Sequence, residues 1–195
     1  MSTYFVDGIA SLTSYKTVKF AIMLSTQKGL SQDNQLFIGK LKQLDLKAIA
    51  YELMHSTEEK WSFERTKQAI SHYSMFLWLV NLYPKRQLVP TQEIDRVWHH
   101  HILDTMKYAE DCEMLFGRFI HHFPYFGKRG KVDKNNLYTA FAETQKLFQQ
   151  HFGIDLTVVE ESLEITDCQP VVYAEKMTRP VVDMEIDYLG CAIRV

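Results

Sequence analysis

Five of the eight histidines in this chain fall within residues 88–127, LVPTQEIDRVWHHHILDTMKYAEDCEMLFGRFIHHFPYFG. Imidazole is the commonest biological metal ligand and the side chain that titrates nearest neutral pH, so the chemistry, if any, belongs here. A helix turns by about 100° per residue, which points His99, His100 and His101 in three directions and forbids a three-histidine site on one regular helix. Asp95 and His99 stand four residues apart and share a side, where a carboxylate and an imidazole can hold one divalent ion, or the acid can orient the ring. His101 falls on the apolar side, between Trp98 and Thr105, and His100 shares a side with Asp104. A mononuclear site needs a further ligand. His121 and His122 can supply it if the chain reverses near Pro124, and His72 is another donor. The candidate ligands are therefore Asp95, His99, His101, His121 and His122, a mixed nitrogen and oxygen set suited to zinc or iron.

Each of these residues also has a plainer role open to it. His101 on an apolar face can be a core residue bonded to a backbone carbonyl or a tyrosine. Asp95 and His99 can be an exposed helix pair worth about 0.3–0.5 kcal/mol, and His100 with Asp104 a solvated one. Cys112 reads as a small core residue, and a straight helix would hold it about 16 Å from His101. Tyr125, Phe126, Lys128 and Arg129 can bind an anionic or aromatic group or can form a turn whose rings fold beneath the core. No P-loop, GxGxxG, GxSxG or HExxH occurs.

Positioning these groups requires helices. Thr91 can cap one, with Glu93 and Asp95 in its first turn against the positive end of the helix dipole. Ile94, Val97, Trp98, Ile102, Thr105, Ala109, Cys112, Leu115 and Phe116 lie on one face, which predicts a single helix running to about Gly117. Upstream, Phe37, Leu41 and Leu44, then Leu46, Ile49, Ala50 and Leu53, predict one or two short helices from Leu36, with Asp45 a cap between them. The capping-box form of Ser56 to Glu59 predicts the start of a long helix carrying Trp61, Ala69, Tyr73, Phe76, Leu77 and Val80, ended before Pro84. Downstream, Asp133 can cap a last helix bearing Leu137, Phe141, Leu147, Phe148 and Phe152, closed by Gly153. Beyond it the chain turns β-branched, partly alternating and punctuated by Pro170 and Pro180. That texture predicts short strands or an arm, paired with the stretch Tyr15 to Leu24.

The run Asp95, Trp98, His99 and His101 followed by Tyr108, Asp111 and Cys112 resembles the Asp-x-x-Trp-His-x-His and Tyr-x-x-Asp-Cys core of the glycine-rich-domain-containing-protein-like family, in its bacterial form. The similarity extends over about residues 44–153 and includes WSFER from Trp61. The family takes its name from a glycine-rich region of plant members. This chain has none, so roles attached to that region do not transfer, and the resemblance carries no catalytic assignment.

The 195 residues are 46% apolar and 13% aromatic, enough to build one core, and the fold expected is mainly α. One compact domain spans 1–195, with a helical core at 36–153 and added terminal segments at 1–35 and 154–195. A formal charge of −2, with acids and bases mixed, offers no field for nucleic acid or an anionic membrane. Three widely spaced cysteines without a CxxC argue for reduced thiols. Asp7, Lys16 and Lys19 interrupt the first apolar stretches and charges pervade the first half of the long helix, so neither a signal peptide nor a spanning helix is expected and the cytoplasm follows by default. Two functions from different classes remain: a metal-binding helical protein, up to a small metalloenzyme, and a non-catalytic interaction or scaffold domain. A protein or a small molecule would be the partner.

Overall fold

The computed structural model describes residues 31–57, 59–156 and 169–171. The architecture is mainly α: among the described residues, six helices and one two-stranded ribbon. The segment Tyr15 to Leu24 and most of the β-branched tail lie outside the described residues.

Helix α1 (Gln32–Leu41) begins before the expected Leu36, because the Ser31 hydroxyl accepts the Asn34 N–H at 3.3 Å and caps it there. Helix α2 (Lys47–His55) buries Ile49, Ala50 and Leu53. Asp45 sits just outside it and accepts the Lys47 N–H at 3.1 Å. The long helix α3 (Phe63–Leu82) does not begin at Ser56. The Ser56 hydroxyl does accept the Glu59 N–H, at 3.1 Å, but that bond closes a turn. The helix cap is Ser62, which accepts the Arg65 N–H at 3.3 Å. Every residue from Met75 to Val80 is buried, so this end of α3 is surrounded and has no solvent face.

Helix α4 (Gln92–Leu103) starts where expected, with Thr91 Oγ1 accepting the Ile94 N–H at 3.3 Å. It does not continue to Gly117. Asp104 leaves the helical region with ψ 73° and its carboxylate accepts the Lys107 N–H at 3.4 Å, capping a separate helix α5 (Thr105–Phe116). The break resets the helical face. Thr105 and Ala109, expected on the apolar stripe, are exposed, and Tyr108, Cys112 and Leu115 point inward. Gly117, left-handed at φ 65°, closes α5.

Strand β1 (His121–Phe123) pairs antiparallel with β2 (Gln169–Val171), His122 opposite Pro170. Helix α6 (Lys131–Phe152) takes its cap position at Gly130 and ends at left-handed Gly153. Asp133, expected as the cap, instead lies within the first turn. Its carboxylate accepts the N–H groups of Gly127 at 2.7 Å and Arg129 at 3.1 Å, clamping the preceding loop.

The main core joins α1 to α5 with the last turns of α6, around Trp78, Trp98, Tyr73 and Phe76. A smaller core gathers Val89, Phe123, Phe126, Leu137, Ala140 and Phe141. Phe126 is thus beneath the loop that carries it, and Arg129 is spent on Asp133 through a bond of 2.6 Å, so this stretch is the structural turn of the two readings. Among the described residues no helix is long and apolar enough to cross a membrane.

Candidate metal centre

Helix α4 projects Asp95 and His99 from one side, as i,i+4 geometry requires, with a carboxylate-to-imidazole distance of 3.6 Å. Strand β1 brings His122 to meet them. Its Nε2 lies 3.1 Å from Asp95 Oδ1 and 3.0 Å from His99 Nε2. One ligand atom from each of the three lies within 4.8 Å of the other two, an arrangement able to hold a metal ion. A tetrahedral ion with bonds of ~2.0–2.1 Å separates its ligand atoms by about 3.3 Å, inside the span of these distances.

Hydrogen bonding alone serves this trio poorly. A carboxylate only accepts, and a neutral imidazole has one N–H. If His122 Nε2 carries the proton, it must divide it between Asp95 and His99; if His99 Nε2 carries it, His122 turns a lone pair toward the carboxylate. Burial depresses the basicity of His99 and outweighs the opposing pull of Asp95, with His122, Arg96 and His100 adding to the depression. The ring is therefore held in the neutral form, which is the form that ligates.

Packing fixes the trio from behind. The Trp98 ring meets His122 edge-on with centroids 4.6 Å apart. Trp98 Nε1–H donates to Tyr108 Oη at 2.9 Å, and the Tyr108 hydroxyl donates to the Ile120 carbonyl at 2.6 Å, one residue before β1. Tyr108 thereby ties α4, α5 and the start of the histidine strand together. Burial raises the pKa of the Tyr108 hydroxyl far above the ordinary range, so it stays a donor. Arg96 reaches Glu59 at 3.0 Å and Arg65 reaches Glu93 at 2.6 Å, docking the first turns of α4 beside the start of α3.

The other sequence candidates go elsewhere. His101 is 1% exposed and belongs to a second polar group on the inner side of α4. Its Nε2 lies 2.9 Å from Asp111 Oδ2 and its Nδ1 lies 2.9 Å from the Tyr73 hydroxyl. Asp111 can only accept, so Nε2 carries the proton and Nδ1 accepts from Tyr73. Lys107 Nζ donates to the same Asp111 oxygen at 2.7 Å. Burial lowers the pKa of His101 in spite of the Asp111 hydrogen bond and charge. His101 is accordingly outside the metal cluster, as is His121, which β alternation turns away from His122 and which lies against Phe119. His72 is buried against Phe148. Cys112 is buried, and burial pushes its thiol pKa up, the opposite of an activated nucleophile. Cys168 and Cys191 lie outside the described residues.

Sequence reasoning allowed His101 a tyrosine partner without naming Tyr73, and it found neither Asp111 nor the bond from Tyr108 to Ile120. Tyr73 offered a signal, an aromatic hydroxyl on the inward face of α3. Tyr108 offered its place in the Tyr-x-x-Asp-Cys run, although the wheel of an unbroken helix left it off the apolar stripe.

Both polar groups lie within residues 39–145, where a family model described as UCP032817-like matches. The chain is also similar to Glycine-rich domain-containing protein 1 of Arabidopsis thaliana, 33% identical over 91 residues, and to Glycine-rich domain-containing protein 2 of the same plant, 31% identical over 91 residues. Each alignment covers 45% of this chain and 11% of the relative, so the chain spans about a ninth of the length of the curated relatives it matches. No solved structure matches. With more than half of its residues under one family model, and with those plant proteins similar over 91 residues, the chain belongs to the UCP032817-like, glycine-rich-domain-containing-protein-like family.

Proposed function

We propose that this protein binds a divalent cation, zinc or iron, through Asp95, His99 and His122. The observation that carries the reading is the convergence of two imidazole nitrogens and a carboxylate, at 3.0, 3.1 and 3.6 Å, from a helix and a strand 23 and 27 residues apart in sequence. Two histidines and one carboxylate suit zinc in a tetrahedron, and equally iron with the three ligands on one face of an octahedron. A small metalloenzyme is the finer form of this reading. Its partner is a small molecule, since a net charge of −2 gives nucleic acid nothing to hold. Cytoplasmic action belongs to the same reading, resting on three widely spaced cysteines.

Elemental analysis of protein purified without a metal-affinity tag tests it. Wild-type protein is expected to retain about one ion per chain, and His99→Ala to lose it while keeping the helical circular dichroism of the wild type. Unchanged metal affinity in His99→Ala would sink the site. The second reading, an interaction or scaffold domain, draws on Leu103 and Met106, each 78% exposed on either side of Asp104. Consistently metal-free wild-type protein would favour it.

A further inference from the structure

We infer that the ion held by Asp95, His99 and His122 keeps an exchangeable coordination position on the solvent side of His99, and that a small anionic oxygen or nitrogen ligand takes it. The inference rests on the metal reading above and adds what the ion is for.

Three observations lead to it. The ligand set stops at three, because among the described residues no fourth histidine, cysteine, aspartate or glutamate joins the cluster. Structural zinc sites close with four protein ligands, whereas sites with three protein ligands leave the next position to water or substrate. The exposure of the ligands is lopsided: the side chains of Asp95 and His122 are 10% and 11% exposed, and that of His99 is 44% exposed. Trp98 stands against His122, so the apolar wall lies on the strand side and the opening lies toward His99. Charge then selects the incoming ligand. A divalent cation held by one carboxylate and two imidazoles keeps a net positive charge. Arg96, beside Asp95 in sequence, is already paired with Glu59 at 3.0 Å, and the Asp95 carboxylate offsets only one of the two charges of the ion. An anion, or hydroxide from bound water, balances it.

The full chain, stripped with a chelator and reloaded with cobalt(II), provides the test, because the visible bands of cobalt report its coordination shell. Titration with azide is expected to shift those bands saturably while the cobalt stays on the protein. Cobalt bound by the wild type, absent from His99→Ala, and spectrally indifferent to azide would overturn the open position and leave the metal site standing. Cobalt released by azide without a shifted bound spectrum would overturn it as well. Failure of the wild type to retain cobalt, or equal retention by His99→Ala, would remove the metal reading and this inference together.

Discussion

His99 and His101 are two residues apart on α4, and the rotation between them sends one ring to the rim and the other to the interior. The difference predicts opposite phenotypes. His101→Ala strands the Tyr73 hydroxyl and removes a partner of Asp111; it is expected to cost about 2–4 kcal/mol in urea denaturation while metal content holds. A variant with native stability would mean that the inner network contributes nothing. Tyr108→Phe deletes one oxygen that bridges Trp98 and Ile120. Beyond a stability loss of roughly 1–2 kcal/mol, it should weaken metal affinity about tenfold, as loss of a group that orients a ligand does. Tyr73→Phe is the control, since it removes a hydroxyl of the inner network and should leave affinity unchanged. Equal affinities for the two variants would deny Tyr108 its positioning role.

Among the elements, α6 docks onto the end of α3 through Tyr83, whose hydroxyl lies 2.8 Å from His151 Nε2. Burial lowers the pKa of His151 in the folded chain. Well above the unfolded value of ~6.5 both states are neutral and the group adds no slope. As pH falls through that value the unfolded chain takes up the proton first, so stability declines until pH has passed the lower folded pKa. His99 and His101 shift in the same direction. The melting temperature should therefore fall from pH 7 toward pH 5, and His151→Gln should flatten part of that slope; an identical slope would show that His151 is not among its causes. The caps at Thr91 and Gly153 were legible because each is a local bond or a local φ. The break at Asp104 was not, because Thr105 and Ala109 extend the apolar wheel of an unbroken helix, although in the two shorter helices both are exposed. The choice between Ser56 and Ser62 was similarly hidden, since both hydroxyls accept an N–H three residues on. Asp95 and His99 were legible as a pair from spacing alone. Their third member was narrowed only to His101, His121 or His122, with His72 a further donor, because the face of a three-residue strand depends on where the chain crosses α4.

At the scale of the molecule, the cluster joins parts that share little sequence, a helix of the main core and a strand beside the smaller one. An ion there binds the folded chain and not the unfolded one, so it must stabilise. Free metal at about a hundred times its dissociation constant should add ~2.7 kcal/mol, which for a chain of this length raises the melting temperature by roughly 5–10 °C. The shift should survive His121→Ala and vanish in His122→Ala; a shift that persisted in His122→Ala would place the ion elsewhere. Strand β1 carries that ligand and is also the backbone to which β2 is bonded, across a sequence gap that begins at Phe123 and ends at Gln169. Immobilising His122 would thus damp the opening of the whole two-stranded ladder. Slower amide hydrogen exchange at Gln169 and Val171 on metal loading would make that strand a reporter of an ion bound through its neighbour.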